Sequence, residues 1–155
     1  MVQISEDTLI NSSASSVFNF LTRIDSLYKI WHPKDHVFCK AITGSLAKKG
    51  AVFHFLEILG GFPLYLIVKV TEFEKDQYIA YRPIFPLSLL NLGWGYFRVK
   101  SISPNQSQLT AFVEYGYKSK WFDRFANLFV KVEVAKKHIH EEGENLKSFL
   151  EKKQV

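Results

Sequence analysis

The chain has 155 residues, 47% of them hydrophobic, and 20 basic against 15 acidic side chains give it a formal net charge of +5. That length and apolar content suit one domain over residues 1–155 with one substantial core, whereas two cores would each be marginal. A single cysteine, Cys39, excludes an internal disulfide and a multi-cysteine metal site, and no apolar run approaches the ~20 residues that a membrane-crossing helix requires.

The N-terminus has no signal-like pattern, so a cytoplasmic location is expected. The 14 Phe and 7 Tyr exceed what packing alone needs, which suggests that some rings line a cavity. The basic residues are scattered. Their densest groups, Lys131, Lys136 and Lys137 and then Lys147, Lys152 and Lys153, fall on one predicted helix, where a solvated face explains them better than a nucleic-acid surface. Neither nucleic acid nor membrane insertion is expected, and the sequence does not reveal an oligomeric state.

In chain order, Gln3–Ile10 alternates in part and reads as a strand. The capping cluster Asn11-Ser12-Ser13 then precedes a helical run through Val17, Phe18, Phe20, Leu21 and Ile24. This helix should fade near Asp25-Ser26, with a second short turn over Leu27–Trp31 that must end before Pro33. Six strands follow: Val37–Ile42, Ala51–Leu59, Leu64–Phe73, Tyr78–Arg82, Trp94–Ile102 and Leu109–Tyr117. Lys48-Lys49-Gly50, Gly60-Gly61, Lys75-Asp76-Gln77 and Ser103-Pro104-Asn105 supply turn chemistry, and the short connections imply an antiparallel meander. The apolar stretch Pro83–Leu92 reads as a loop packed over a pocket mouth. From about Trp121 to Lys152 the period becomes helical, with Gly143 the one interior glycine.

Strand, two short helices, six strands and one long helix form an order that resembles the START-like, or SRPBCC, superfamily. That superfamily takes in polyketide cyclases and aromatases, Bet v 1-like plant pathogenesis proteins and lipid-transfer domains. The resemblance implies an α+β helix-grip fold, in which a curved antiparallel sheet of about seven strands wraps around the long C-terminal helix with a cavity between them. The ligand it implies is a small hydrophobic or aromatic molecule.

Chemistry is concentrated in three places. On the last helix, Phe125, Leu128, Val132, Ala135, Ile139, Leu146 and Phe149 form one stripe. Glu142 interrupts that stripe and His138 lies one turn before it, while His140 and Glu141 should point to solvent. A histidine and a carboxylate four apart can share an ion or a proton, or can simply pair as a satisfied polar spot. On the strand Phe53–Leu59, Glu57 shares a face with Phe53 and Phe55; if that face turns inward, the carboxylate is buried and needs a cation or a proton. In Trp31-His32-Pro33-Lys34-Asp35-His36, proline restricts the chain between two histidines, and Asp35 can orient one imidazole. Tyr65, Tyr81, Tyr96 and Tyr115 are candidates to bond a phenolic or carbonyl oxygen; Tyr65, Tyr96 and Tyr115 are the ones assigned here a catalytic part.

Trp31-His32-Pro33-x-Asp35-His36, Phe55-x-Glu57 running to Gly60-Gly61, and His138-x-x-Glu141-Glu142-x-x-Asn145-Leu146 together resemble the diacetylphloroglucinol hydrolase branch of that superfamily. Its members are zinc enzymes that hydrolyse a carbon–carbon bond between an acyl group and a phenolic ring. The resemblance implies zinc held by His36 or His32, with Glu57, His138 and Glu142. His36 is favoured because the start of a strand holds it. Two other functions stand beside the hydrolase: a metal-free carrier of a hydrophobic ligand, and a metal-free cyclase or dehydratase using His138 and Glu142 as base and orienter.

Overall fold

The computed structural model describes residues 2–84, 93–115 and 131–152. Its elements are β1 (Val2–Ile10), α1 (Ala14–Leu21), α2 (Ile24–Trp31), β2 (His36–Ala41), β3 (Val52–Leu59), β4 (Phe62–Glu74), β5 (Tyr78–Pro83), β6 (Trp94–Ser103), β7 (Gln106–Tyr115) and α3 (Val132–Lys152). The strands make one antiparallel sheet in the order β1-β7-β6-β5-β4-β3-β2, a meander from β2 to β7 with β1 returning beside β7. This is the helix-grip arrangement, with α3 held chiefly against β1 and touching α1, α2, β3 and β7.

The first helical segment divides earlier than its apolar period suggests. Ser13 Oγ caps α1 by accepting from the Ser16 amide at 3.2 Å. At the other end, Thr22 Oγ1 donates back to the Phe18 and Asn19 carbonyls, and the Arg23 amide bonds to the Phe20 carbonyl. Such local bonds compete with the helical ladder. The break therefore falls at Thr22-Arg23 and not at Asp25-Ser26, and Ile24 opens α2 as a buried residue.

Strand facing follows the two-residue period. On β3, Phe53, Phe55, Glu57 and Leu59 turn toward the interior cavity, while on β4 the same face carries Leu64, Leu66 and Val68. The turn between these strands is Gly60-Gly61, with φ of +59° and +88°, the left-handed pair that a two-residue hairpin requires. A Cβ at residue 60 would also stand 2.9 Å from Val134 Cγ1 on α3.

On α3 the buried residues are Ala135, His138, Ile139, Glu142, Gly143, Leu146 and Leu150. Leu146 is fully buried, a placement that stabilises by about 1.5–3 kcal/mol. Gly143 lets the helix lie directly on β1, because a Cβ there would collide with Thr8 Oγ1. Of the predicted stripe, Phe125 and Leu128 lie outside the described residues, as do residues 85–92 of the apolar loop and residues 116 and 117 at the end of the last predicted strand. Among the described residues no helix is long and apolar enough to cross a membrane.

Candidate functional site

Between sheet and helix lies a cavity of about 350 Å³, walled largely by apolar side chains including Ile24, Trp31, Phe55, Leu66, Phe97 and Ile139. The same wall contains Glu57, His138 and Glu142. Pairing in the sheet sets His36, the first residue of β2, opposite Glu57 of β3, and the register then shifts before Phe38. The bend is pinned by backbone bonds, His36 amide to His32 carbonyl at 2.9 Å and Ile58 amide to Asp35 carbonyl at 2.7 Å. From the other side, Trp31 Nε1 donates to the Glu142 carbonyl at 2.9 Å. The end of α2 is thereby tied to the polar part of α3.

Four side chains converge. His36 Nε2 is 3.0 Å from Glu142 Oε1 and 3.9 Å from Glu57 Oε2, and His138 Nε2 is 3.7 Å and 3.8 Å from the same two oxygens. The opposite ring nitrogens are committed elsewhere. His36 Nδ1 donates to the Tyr28 carbonyl at 2.9 Å, since a carbonyl can only accept, and His138 Nδ1 donates to Asp35 Oδ2 at 3.1 Å. In their neutral forms both imidazoles thus carry their lone pairs on Nε2, aimed at the two carboxylates. Both Nε2 atoms are buried and make no hydrogen bond.

The electrostatic strain falls on Glu57. Burial, then the charge of Glu142, pushes Glu57 above the usual carboxylate range, although His138, His36 and a 3.0 Å bond donated by the Tyr28 hydroxyl pull it back. Burial opposes the charged form of His138, but Glu142, Glu57 and Asp35 outweigh it and raise its pKa. Tyr28 is raised by burial and by Glu57 and Glu142, so its phenol stays neutral.

This donor set fits a divalent cation. An ion ~2.0–2.2 Å from tetrahedral donors would leave them about 3.4 Å apart, and the four histidine–carboxylate distances are 3.0–3.9 Å. His36, Glu57 and His138 alone place one ligand atom each within 4.8 Å of the others. A cation would satisfy both lone-pair nitrogens and neutralise both acids.

His32 has a different place. It is buried, but its Nε2 faces Glu141 Oε2 at 3.2 Å and Asp35 Oδ2 at 3.8 Å, outside the four-residue cluster, and its ring stacks 4.6 Å from that of His138. With Asp35 and His138 it forms a second close group of metal-ligating types. Asp35 supports His138 more closely than either neighbouring histidine of its own segment. His140 is exposed and pairs with Glu6, as its facing predicts, whereas Glu141 turns back to His32 instead of simply facing solvent.

Two of the three tyrosines assigned a catalytic part stand on the wrong side of the sheet. Tyr65 is exposed and bonded to His54 on the outer face, and Tyr96 stacks on Phe112 and Trp94 there. Their strand parity opposes that of the cavity residues Leu64, Leu66, Gly95 and Phe97. The side chain of Tyr115 lies outside the described residues. What the sequence reading missed is Tyr28, whose ring stacks on His36 at 3.8 Å and whose carbonyl and hydroxyl fix His36 and Glu57. The signal was its spacing from Trp31 on the buried side of α2.

No family model and no curated protein matches the sequence. Solved structures do match. Ginseng major latex-like protein 151 from Panax ginseng superposes with a TM-score of 0.76 at 11% identity, over 96% of this chain and 97% of its own. A START superfamily protein from Mycobacterium smegmatis gives 0.71 at 11% identity, over 97% of each chain. The di-domain ARO/CYC protein BexL of the BE-7585A biosynthetic pathway gives 0.69 at 13% identity; 96% of this chain is covered but only 46% of BexL, so the chain spans less than half of that protein. At these identities the likeness is one of fold.

Proposed function

We propose that this protein binds a small, mostly apolar molecule in the cavity and holds a divalent cation, zinc by the motif resemblance, on His36, Glu57, His138 and Glu142. The observation that carries the reading is the pair of buried, unbonded Nε2 atoms facing two carboxylates at one part of an otherwise apolar cavity. Aromatic and aliphatic walls supply affinity, and the few polar groups orient what enters. That the solved relatives include latex-like, START and ARO/CYC proteins supports the hydrophobic-ligand part of the reading.

The finer proposal is hydrolysis of a phenolic or other hydrophobic ketone. A cation on these ligands would polarise a carbonyl oxygen and ease the ionisation of water. The chain's own contribution is to exclude bulk water, to hold the ring between apolar walls, and to keep both imidazoles in the tautomer that presents Nε2. Cleavage adds the water oxygen to the acyl carbon and a proton to the ring carbon that leaves.

A second reading has its own support. His138 with Asp35 on Nδ1 and a free Nε2 toward the cavity is the geometry of a general base and its orienter. In that metal-free, cyclase-like function the orienter is Asp35, not Glu142. Zinc analysis and turnover of an acylated phloroglucinol separate the readings. The hydrolase requires bound metal and loss of turnover in Glu142→Ala. A carrier retains ligand affinity in that variant and binds no metal.

A further inference from the structure

Tyr81 is a cavity tyrosine whose hydroxyl no described protein group bonds. It lies on β5 directly opposite Gly95 of β6, with its ring between Phe53 and Phe97. A Cβ at residue 95 would stand 2.6 Å from both the Tyr81 hydroxyl oxygen and the ring carbon that bears it, and 3.0 Å from the Phe112 carbonyl oxygen. The glycine therefore makes the space in which this hydroxyl sits. Phenylalanine would pack the same wall, since the ring contacts of Tyr81 are all apolar.

Among the described residues the hydroxyl makes no hydrogen bond, although it sits in the wall of an apolar cavity. Tyr81 is half-buried, and a phenol that faces an apolar cavity without a partner points to one that arrives from outside. Burial and the nearby carboxylates Glu142 and Glu57 keep the phenol protonated, which makes it a donor.

We infer that Tyr81 is a ligand-binding residue that donates a hydrogen bond to an uncharged acceptor oxygen of the cavity's ligand, so that the ligand class is carbonyl or ether compounds in preference to hydrocarbons. This rests on the proposal that the cavity takes an apolar molecule. It does not depend on the metal.

The test uses the metal-free protein and two probes of matched shape, acetylnaphthalene and ethylnaphthalene. Binding is followed through the fluorescence of Trp31, which lies in the cavity wall. In Tyr81→Phe the ketone should bind about three- to tenfold more weakly, the range of one neutral hydrogen bond, with the hydrocarbon unchanged and the melting temperature equal or higher. The carbonyl stretch of bound acetylnaphthalene should move to higher wavenumber in the variant. Equal losses for both probes, an unmoved carbonyl stretch, or a marked fall in melting temperature would each overturn the role of Tyr81 while leaving a ligand cavity in place. If neither probe binds the wild type, the cavity reading fails and this inference with it.

Discussion

Asp35 Oδ2 lies 3.1 Å from His138 Nδ1, across the interval between the segment before β2 and the last helix. The contact decides which nitrogen of His138 faces the carboxylates, and it holds the ring there. If the cluster binds a cation, Asp35→Asn should weaken zinc binding by about tenfold to a hundredfold, the usual cost of losing such an orienting carboxylate. Zinc titration against a competing chelator checks this. A smaller loss in His32→Asn than in Asp35→Asn is expected, since the His32 side chain meets the cluster by ring packing on His138 and His36 and lies 3.8 Å from Asp35.

The raised pKa values set a pH dependence for the metal-free protein. His138 sits above its ordinary 6.5 and Glu57 above its ordinary 4.5. In each case the folded chain holds the proton more tightly than the unfolded one, so the stabilising contribution is complete below the ordinary value and is lost as pH rises through the raised one. Without metal, melting temperature should therefore fall between about pH 5 and pH 8, and Glu57→Gln should flatten the fall and be the more stable form at the upper end. Saturating zinc should reverse the trend, because the ion takes the deprotonated ligands. Parallel melts of both forms, with chelator and with zinc, give the comparison.

Gly143 is explained by Thr8. A side chain at 143 would collide with Thr8 Oγ1, so Gly143→Ala should destabilise by about 1–3 kcal/mol through overpacking despite its better helix propensity. Thr8→Ala in the same chain should recover a large part of that loss, a coupling that denaturant titration of the two single variants and the double variant would measure. Simple additivity would mean that α3 reaches β1 in some other way.

Much of this arrangement was legible in the sequence because the relevant periods are long and regular. Alternation along Phe53–Leu59 set Glu57 on the aromatic face, and the helical period brought His138 and Glu142 to one edge; the structure has both facing the cavity. The choice between His32 and His36 was legible only as a preference for His36 at the start of a strand. Both are buried in an irregular connection, and only the β2–β3 register, with its shift after His36, brings one of them to Glu57. Tyr65 and Tyr96 were misplaced for another reason. Aromatic residues suit either face of a sheet, and composition suggested a cavity without saying which rings line it. Parity would have helped: Tyr65 and Tyr96 alternate with cavity residues, whereas Tyr81 stands opposite Gly95 within the wall.

Metal content tests the central claim most directly. Protein prepared without a histidine tag, equilibrated with zinc and freed of excess ion, should retain about one zinc per chain, as a four-ligand site requires, and its melting temperature should rise with zinc. Glu57→Ala and Glu142→Ala should each lose most of that metal. A wild-type chain that retains none, with a melting temperature indifferent to zinc, would contradict the metal centre and leave a metal-free ligand cavity as the account of this fold.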